Sequence, residues 1–525
     1  MTSLRQTLTY QPVELSFGTS GLRGLVVDMT DLECYINTVG FLKFLKKQDR
    51  LEPRATIYLA GDLRDSTPKI MRAVQTACQD TGYQVTYLGL IPTPALALYA
   101  LKFHAPGIMV TGSHIPADRN GIKFYKSAGE VLKEDESAIK NHVAAVRGLV
   151  YAQPAGETQF NPQGGLTKSV TLPAEEPAAS ADFLARFTTI FGQETLKGKK
   201  IVFYQHSAVG RDLIATILTR LGAQVVPVGR SDVFIPIDSE NVTPDNKAYF
   251  RQLAAEHPDA FAIVSTDGDS DRPFVIDETG TFHLGDGLGA ITATWLGTDF
   301  AAFTANAGDA VSTYLTDKGI SFERTKLGSP YVVSLMEKGR QAGKKRPVGW
   351  EVNGGFLTGV DLTVKGHSLP ALPTRDATLP ILVALVAALE AGQTVSQLFA
   401  QLPINFPANG LINNFPTVIA KQILERFSRD TPETRAEITN YFSPALGFSE
   451  IATIDTLDGV RISFANGDLA HLRASGNAPQ FRIYSFANTQ ERADAIVALA
   501  IREPDGLYRQ MEQTLTTSPA EPQRR

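Results

Sequence analysis

Short apolar runs that stop abruptly at loops rich in glycine, hydroxyls or aspartate alternate with longer helix-like segments through most of the chain. That alternation is the pattern of α/β layers, in which helices cover a sheet whose strand ends carry the ligand-binding loops. The run Ile108–Val110 reads as one such buried strand. It stops at Thr111-Gly112, and Ser113 and His114 stand just past its end, with Lys123 ten residues after Ser113. Around it the pattern predicts strands over 55–60 and 84–88 and helices over 31–47, 67–81 and 94–103. Thr67 is the expected N-cap of the second helix, with Pro68 at its first position. The first unit is therefore expected to be α/β with a largely parallel sheet.

Residues 151–180 lose periodicity in Pro-, Ala- and Gly-rich sequence and read as a linker or long surface loop. A second α/β unit follows, with strands over 199–204, 224–228 and 261–265 and a helix over 211–221. A third has helices over 285–296 and 307–318 and a strand over 300–304, and Thr374-Arg-Asp-Ala377 is expected to cap a long apolar helix ending at Glu390. Beyond Pro403 the order changes. Strands over 460–464 and 469–472 meet at Asn466-Gly467, a hairpin signal, and another strand precedes a helix over 489–501, which suggests an α+β domain. The tail from Ser518 reads as disordered. The expected division is 1–150, a linker 151–180, 181–284, 285–403 and 404–525, with the three α/β units forming a diverged repeat.

Bulk properties restrict the partners. With 525 residues the chain is too long for one core. A net charge of −5 gives no basic field for nucleic acid or anionic lipid. No apolar run approaches the ~20 residues of a spanning helix, and the N-terminus lacks a signal-peptide core. Cys34 and Cys78 lie in apolar, helix-like contexts and read as buried thiols of a reducing compartment. The expectation is a cytoplasmic protein.

Asp267, Asp269 and Asp271 crowd three carboxylates onto one loop between two apolar strands. A bound cation relieves their repulsion, and all-oxygen ligation selects a hard ion such as Mg²⁺. The rival calcium EF-hand needs Gly where Arg272 stands and needs flanking helices. Arg473-Ala-Ser-Gly-Asn-Ala-Pro-Gln-Phe-Arg482 sets two guanidiniums, Ser475, Gly476 and Asn477 on one loop, which suits a phosphate. The stretches Phe17–Gly24 and Glu351-Val-Asn-Gly-Gly355 suit a ligand loop and an ordinary turn equally.

Taken together, these loops resemble those of the α-D-phosphohexomutase superfamily, the phosphoglucomutases, phosphomannomutases and phosphoglucosamine mutases. Thr111-Gly-Ser-His-Ile-Pro116 resembles its phosphoserine loop, Asp267-Gly-Asp-Ser-Asp-Arg272 its metal loop, Trp350–Gly355 its sugar loop (usually Gly-Glu-x-Ser-Gly-His), and Arg473–Arg482 its phosphate loop. The resemblance implies three α/β domains with mixed sheets flanked by helices, plus a TBP-like α+β domain, around a central cleft. It implies interconversion of hexose 6-phosphate and hexose 1-phosphate through a phosphoserine and a hexose 1,6-bisphosphate. In that reading Ser113 carries the phosphoryl group and, with Asp267, Asp269 and Asp271, holds Mg²⁺. His114, Lys123, Arg272 and Arg23 serve the transfer. Arg64, Glu351, Asn353, Gly354, Arg473, Ser475, Gly476, Asn477 and Arg482 bind substrate. The partner is a small phosphosugar, with a monomer or homodimer expected.

The sequence departs from the usual patterns at Ile115 (usually Asn), Gly355 (usually His) and Ala478 (usually Glu), and Gly328-Ser-Pro-Tyr331 lacks a histidine often found there. These differences bear on the sugar. The combination is similar to a bacterial phosphomannomutase branch, so mannose is expected before glucose. A metal-dependent phosphatase and a non-catalytic sugar-phosphate sensor are the alternatives.

Overall fold

The computed structural model describes residues 2–18, 21–48, 50–403, 406–475 and 479–517. Contacts divide the chain into two compact units. One holds three sheets. The other takes in the C-terminal sheet together with Thr304–Asp317 and Arg324–Leu327.

In chain order the first sheet contains β1 (Ser16–Phe17), β2 (Gly21–Leu25), β3 (Thr56–Gly61), β4 (Gln84–Leu90), β5 (Gly107–Val110), β6 (Arg119–Lys126) and β7 (Gly129–Glu130). The second contains β8 (Lys200–Tyr204), β9 (Gln224–Val228), β10 (Ala262–Thr266), β11 (Pro273–Ile276) and β12 (Phe282–His283). The third uses β13 (Phe300–Thr304), β14 (Ser321–Thr325), β15 (Pro347–Trp350) and β16 (Phe356–Thr358). A separate ribbon, β17 (Leu362–Val364) and β18 (His367–Leu369), precedes its last strand, β19 (Leu372–Asp376).

The three sheets share one spatial order: β6-β5-β3-β4, β11-β10-β8-β9 and β16-β15-β13-β14. β5, β10 and β13 are buried along their whole length, which is why they read as unbroken apolar runs. In each repeat the third strand turns back into an antiparallel fourth, as β5–β6, β10–β11 and β15–β16. The connections are residues 111–118, 267–272 and 351–355. They are too short for the crossover of a dozen or more residues that a parallel return demands. The serine, metal and sugar loops are thus the same connection in three copies, which supports the diverged repeat.

The expectation of a largely parallel first sheet is corrected. Only β3 pairs in parallel, with β4 and β5, while β1, β2 and β6 join antiparallel. The mixed character of the sheets is as expected. Ser66, not Thr67, is the N-cap of the helix Thr67–Asp80, because the Thr67 hydroxyl is drawn to Asp62 instead. Residues 374–376 belong to β19, and the expected cap is made by Asp376 and Ala377. The helix Thr378–Glu390 follows Ala377, with Asp376 accepting from the Thr378 and Leu379 amides. Three elements without a clear sequence signal complete the repeats: the helices Pro244–Glu256 and Ser329–Gln341 and the strand β14. Between the helices Asp135–Ala152 and Ala178–Phe191 the chain packs against the first sheet's helices, with Phe160 buried beside Leu32 and Ile36.

The second unit carries β20 (Phe406–Asn413), β21 (Ile451–Asp455), β22 (Val460–Phe464), β23 (Leu469–Ala474) and β24 (Gln480–Ala487), in the order β20-β24-β23-β22-β21 and all antiparallel. Its core joins these strands to the helices Thr417–Phe427 and Gln490–Ile501, an α+β layer. The hairpin at Asn466-Gly467 is present, with Gly467 at φ +87°. Cys34 and Cys78 are free, buried thiols. Among the described residues no helix is long and apolar enough to cross a membrane. The tail from Ser518 lies outside the described residues.

Candidate active site

Ser113 follows β5 in the left-handed region, at φ +54°, a conformation that costs a non-glycine residue about 1–3 kcal/mol and persists only when the surroundings hold it. What holds it is visible. Its amide donates to Thr111 Oγ1 (2.8 Å), the Thr111 hydroxyl donates to Asp62 Oδ2 (2.7 Å), and the Gly112 amide donates to the same oxygen (3.2 Å). Arg64 completes the frame. Its Nε donates to Asp62, its Nη1 to the Pro116 and Arg119 carbonyls, and its Nη2 to those of Ser113 and Ile115. All five guanidinium donors are therefore engaged, and the group stacks 3.8 Å over the Phe234 ring. Arg64, expected at the substrate, instead braces the serine loop. Asp62 organises the same loop and was not singled out in the sequence.

The Ser113 hydroxyl, 1% exposed, donates to Asp267 Oδ2 at 2.5 Å. The two loops meet closely: a Cβ at Gly268 would lie 2.7 Å from the Ser113 carbonyl oxygen, so only glycine permits the approach. Asp267, Asp269 and Asp271 are all buried, with one oxygen of each within 4.8 Å of the others. Asp269 Oδ1 and Asp271 Oδ1 are sealed from solvent with no hydrogen-bond partner. Burial and repulsion from Asp269 and Asp271 push Asp267 well above the usual carboxylate range. Burial also opposes the charge on Asp271, but Arg375, Lys123 and Arg272 together hold it below that range. Two orphaned oxygens among three crowded carboxylates fit a divalent cation.

Cations surround this cluster. Lys123 Nζ bridges Asp269 Oδ2 (2.5 Å) and Asp271 Oδ2 (2.6 Å). Arg272 Nη1 reaches Asp238 Oδ1 at 3.1 Å, with Nε near Asp267 and Asp271. Arg23 has no ion-pair partner among the described residues, and burial beside Arg272 and Arg375 lowers its pKa to about 10. His114 Nδ1 lies 3.4 Å from Ser113 Oγ. Burial and the positive Arg272 and Arg23 push its imidazolium well below the ordinary range.

In the sugar loop the Glu351 carboxylate pairs through Oε2 with Arg375 Nη1 at 2.9 Å. Asn353 and Gly354 make hydrogen bonds within the protein. Asn353 donates to Glu240 Oε1 (3.0 Å) and accepts from the Gly355 amide (3.0 Å), and Gly354, at φ +85°, makes the turn by donating to the Glu351 carbonyl. Arg375 contacts both Glu351 and Asp271 and went unnoticed in the sequence, where it reads as part of a helix cap.

The second unit carries the remaining loop. Arg473 and Arg482 are direct cross-strand partners on β23 and β24, so two guanidiniums share one face. Arg473 Nε lies 3.2 Å from Asp458 Oδ2, which offsets part of the repulsion between the two like charges. The Ser475 amide donates to the Gln480 carbonyl and closes the hairpin. Gly476 and Asn477 lie outside the described residues.

Residues 14–148, 181–280 and 285–406 match the family descriptions "Phosphoglucomutase/phosphomannomutase, alpha/beta/alpha domain" I, II and III respectively. The chain belongs to the phosphoglucomutase/phosphomannomutase family. It is a hexose-phosphate mutase, an isomerase. A phosphomannomutase of Sinorhizobium fredii is 39% identical over 486 residues, covering 92% of this chain and 97% of the relative. A phosphomannomutase of Salmonella muenchen is 38% identical over 485 residues, covering 92% and 94%. The crystal structure of a phosphoglucomutase/phosphomannomutase family protein from Burkholderia thailandensis superposes with a TM-score of 0.69 at 16% identity, covering 97% of this mutase and 99% of that chain, which is evidence for the shared fold.

Proposed function

We propose that the mutase interconverts mannose 6-phosphate and mannose 1-phosphate by way of phospho-Ser113 and a mannose 1,6-bisphosphate. The observation that carries the transfer chemistry is the Ser113 hydroxyl, 2.5 Å from a carboxylate of a buried triad with two unpartnered oxygens. The phosphoryl group leaves Ser113 Oγ for the free hydroxyl of the sugar monophosphate, giving the bisphosphate. The sugar then turns, and its other phosphate returns to Ser113 Oγ. His114, 3.4 Å from Ser113 Oγ, moves the proton of the attacking hydroxyl. Arg23, Lys123 and Arg272 stabilise charge on the transferring phosphoryl oxygens. The Arg473/Arg482 pair holds the phosphate that is not reacting, and must accept it from either end of the sugar. Glu351 grips the sugar hydroxyls in both orientations.

Asp267, Asp269 and Asp271, with the phosphoserine, would hold Mg²⁺, which supplies charge neutralisation at the phosphoryl group. Asp269→Asn is expected to weaken Mg²⁺ binding by at least about 10²-fold and to leave the fold intact, read by calorimetric titration and circular dichroism. Unchanged affinity would remove the triad as the metal site.

The mannose assignment rests on the two phosphomannomutases at 39% and 38% identity. Measuring kcat/KM for mannose 1-phosphate and glucose 1-phosphate with a hexose bisphosphate present is the direct test. A tenfold or greater preference for mannose is expected, in line with about 1.4 kcal/mol of discrimination. A glucose preference would make the enzyme a phosphoglucomutase instead.

A further inference from the structure

Arg375 sits on β19, between the metal loop and the sugar loop, and is 6% exposed. Its Nε donates to Asp271 Oδ2 at 3.0 Å, and its Nη1 donates to Glu351 Oε2 at 2.9 Å and to Ser329 Oγ at 3.1 Å. One guanidinium therefore ties a carboxylate of the second repeat to a carboxylate of the third. In each case it takes one oxygen and leaves the other. Asp271 Oδ1 has no hydrogen bond, and Glu351 Oε1 has none among the described residues. The strand that carries Arg375 is held from its other side, because Thr374 Oγ1 and Ser329 Oγ donate to the two carboxylate oxygens of Glu130, next to β6 of the first repeat.

Space points the same way. Gly355, in the sugar loop, packs directly against Arg375. A Cβ there would lie 2.5 Å from both Cγ and Cδ of Arg375, so a side chain at 355 and this arginine cannot coexist as placed. Ser329, at the start of the helix Ser329–Gln341, also accepts from Arg375.

We propose that Arg375 is the positioning residue that registers the sugar loop to the metal loop, orienting Glu351 toward the sugar and Asp271 toward the cation. The proposal rests on the reading of Glu351 as the sugar grip and of the aspartate triad as the metal site. Its planar fork matters, since Nε and Nη1 hold carboxylates of two different loops in fixed directions, which the single ammonium nitrogen of a lysine does only where both carboxylates converge on it, as at Lys123.

The test is Arg375→Lys, alone and combined with Glu351→Gln, in the full-length enzyme. Lysine keeps the charge, so Coulomb repulsion of the metal is unchanged and any loss of affinity reports lost orientation. Arg375→Lys is expected to raise KM for mannose 1-phosphate about tenfold, and that factor should shrink below about twofold in the Glu351→Gln background, the non-additivity of residues acting through each other. The Mn²⁺ dissociation constant, followed by electron paramagnetic resonance, should rise about threefold with or without Glu351→Gln. Gly355→Ala, which displaces the Arg375 side chain sterically, should reproduce the KM rise. If the lysine variant does not fold, Arg375→Gln is measured for the KM rise and its loss in the Glu351→Gln background, and Gly355→Ala, which keeps the arginine, carries the Mn²⁺ measurement. Wild-type KM, wild-type Mn²⁺ affinity, or KM factors that simply multiply would each overturn the proposal. A Glu351→Gln variant with unchanged KM would instead remove the sugar-grip reading, and the Mn²⁺ measurement would then decide for or against Arg375.

Discussion

Ser113→Ala is expected to lower kcat by at least about 10⁴-fold, the scale on which removal of a covalent nucleophile acts. The purified wild-type protein should carry one phosphoryl group by intact mass, and the variant none. The fold should survive, with the melting temperature within about 3 °C of wild type, because the change removes a single hydroxyl and inserts nothing. That hydroxyl is buried against Asp267, and its loop is held by Asp62 and Arg64 rather than by its own side chain. A variant that still turns over at a tenth of the wild-type rate would place the carrier elsewhere. Phosphate released stoichiometrically from mannose 6-phosphate by the wild type, with no 1-phosphate formed, would show that water and not the sugar takes the phosphoryl group.

Arg64→Met is expected to act through the same serine without touching substrate. Arg64 is 2% exposed and supplies five hydrogen bonds, four of them to carbonyls of residues 113–119. Its removal leaves Asp62 buried with one cation fewer and four carbonyls short of a donor. Breaking a buried pair of this kind costs about 3–5 kcal/mol. Methionine keeps an apolar body against Phe234, so the loss reports the hydrogen bonds rather than a cavity. Hydrogen exchange should show protection lost over 112–119, and kcat should fall about 10²-fold from misplacement of Ser113. Mg²⁺ affinity of the unphosphorylated protein should change little, since none of the three aspartates hydrogen-bonds Arg64. A substrate ligand would behave oppositely: KM would rise, and exchange over 112–119 would stay at the wild-type level.

Both predictions turn on a distinction between residues that meet the substrate and residues that hold others in place. Local sequence blurs it. Arg64 and Arg23 both lie in loops matched to the mutase pattern, yet Arg64 has every donor occupied and Arg23 has no ion-pair partner among the described residues. Asn353 stands at a sugar-ligand position of the pattern, and its amide joins the loop to Glu240 of the second repeat, more than a hundred residues away.

The sequence by itself determined the repeated α/β character, the α+β end and the four loops. Each of these is written in contiguous residues: an apolar run long enough to be a buried strand, then a short stretch whose residue types already specify its chemistry. Three aspartates at alternate positions repel one another in any fold, and two arginines flanking a Ser-Gly turn favour an anion in any hairpin. The tertiary structure alone decided the rest. It showed that β6, β11 and β16 return antiparallel, which makes the serine, metal and sugar loops one connection repeated three times. It also revealed Asp62, Glu130 and Arg375. Arg375 pairs with Asp271 and Glu351, which are remote from it and from each other in sequence. A buried charge takes its role from the partners that desolvation forces it to find, and those partners are chosen by the packing of separate sheets, which no local pattern encodes.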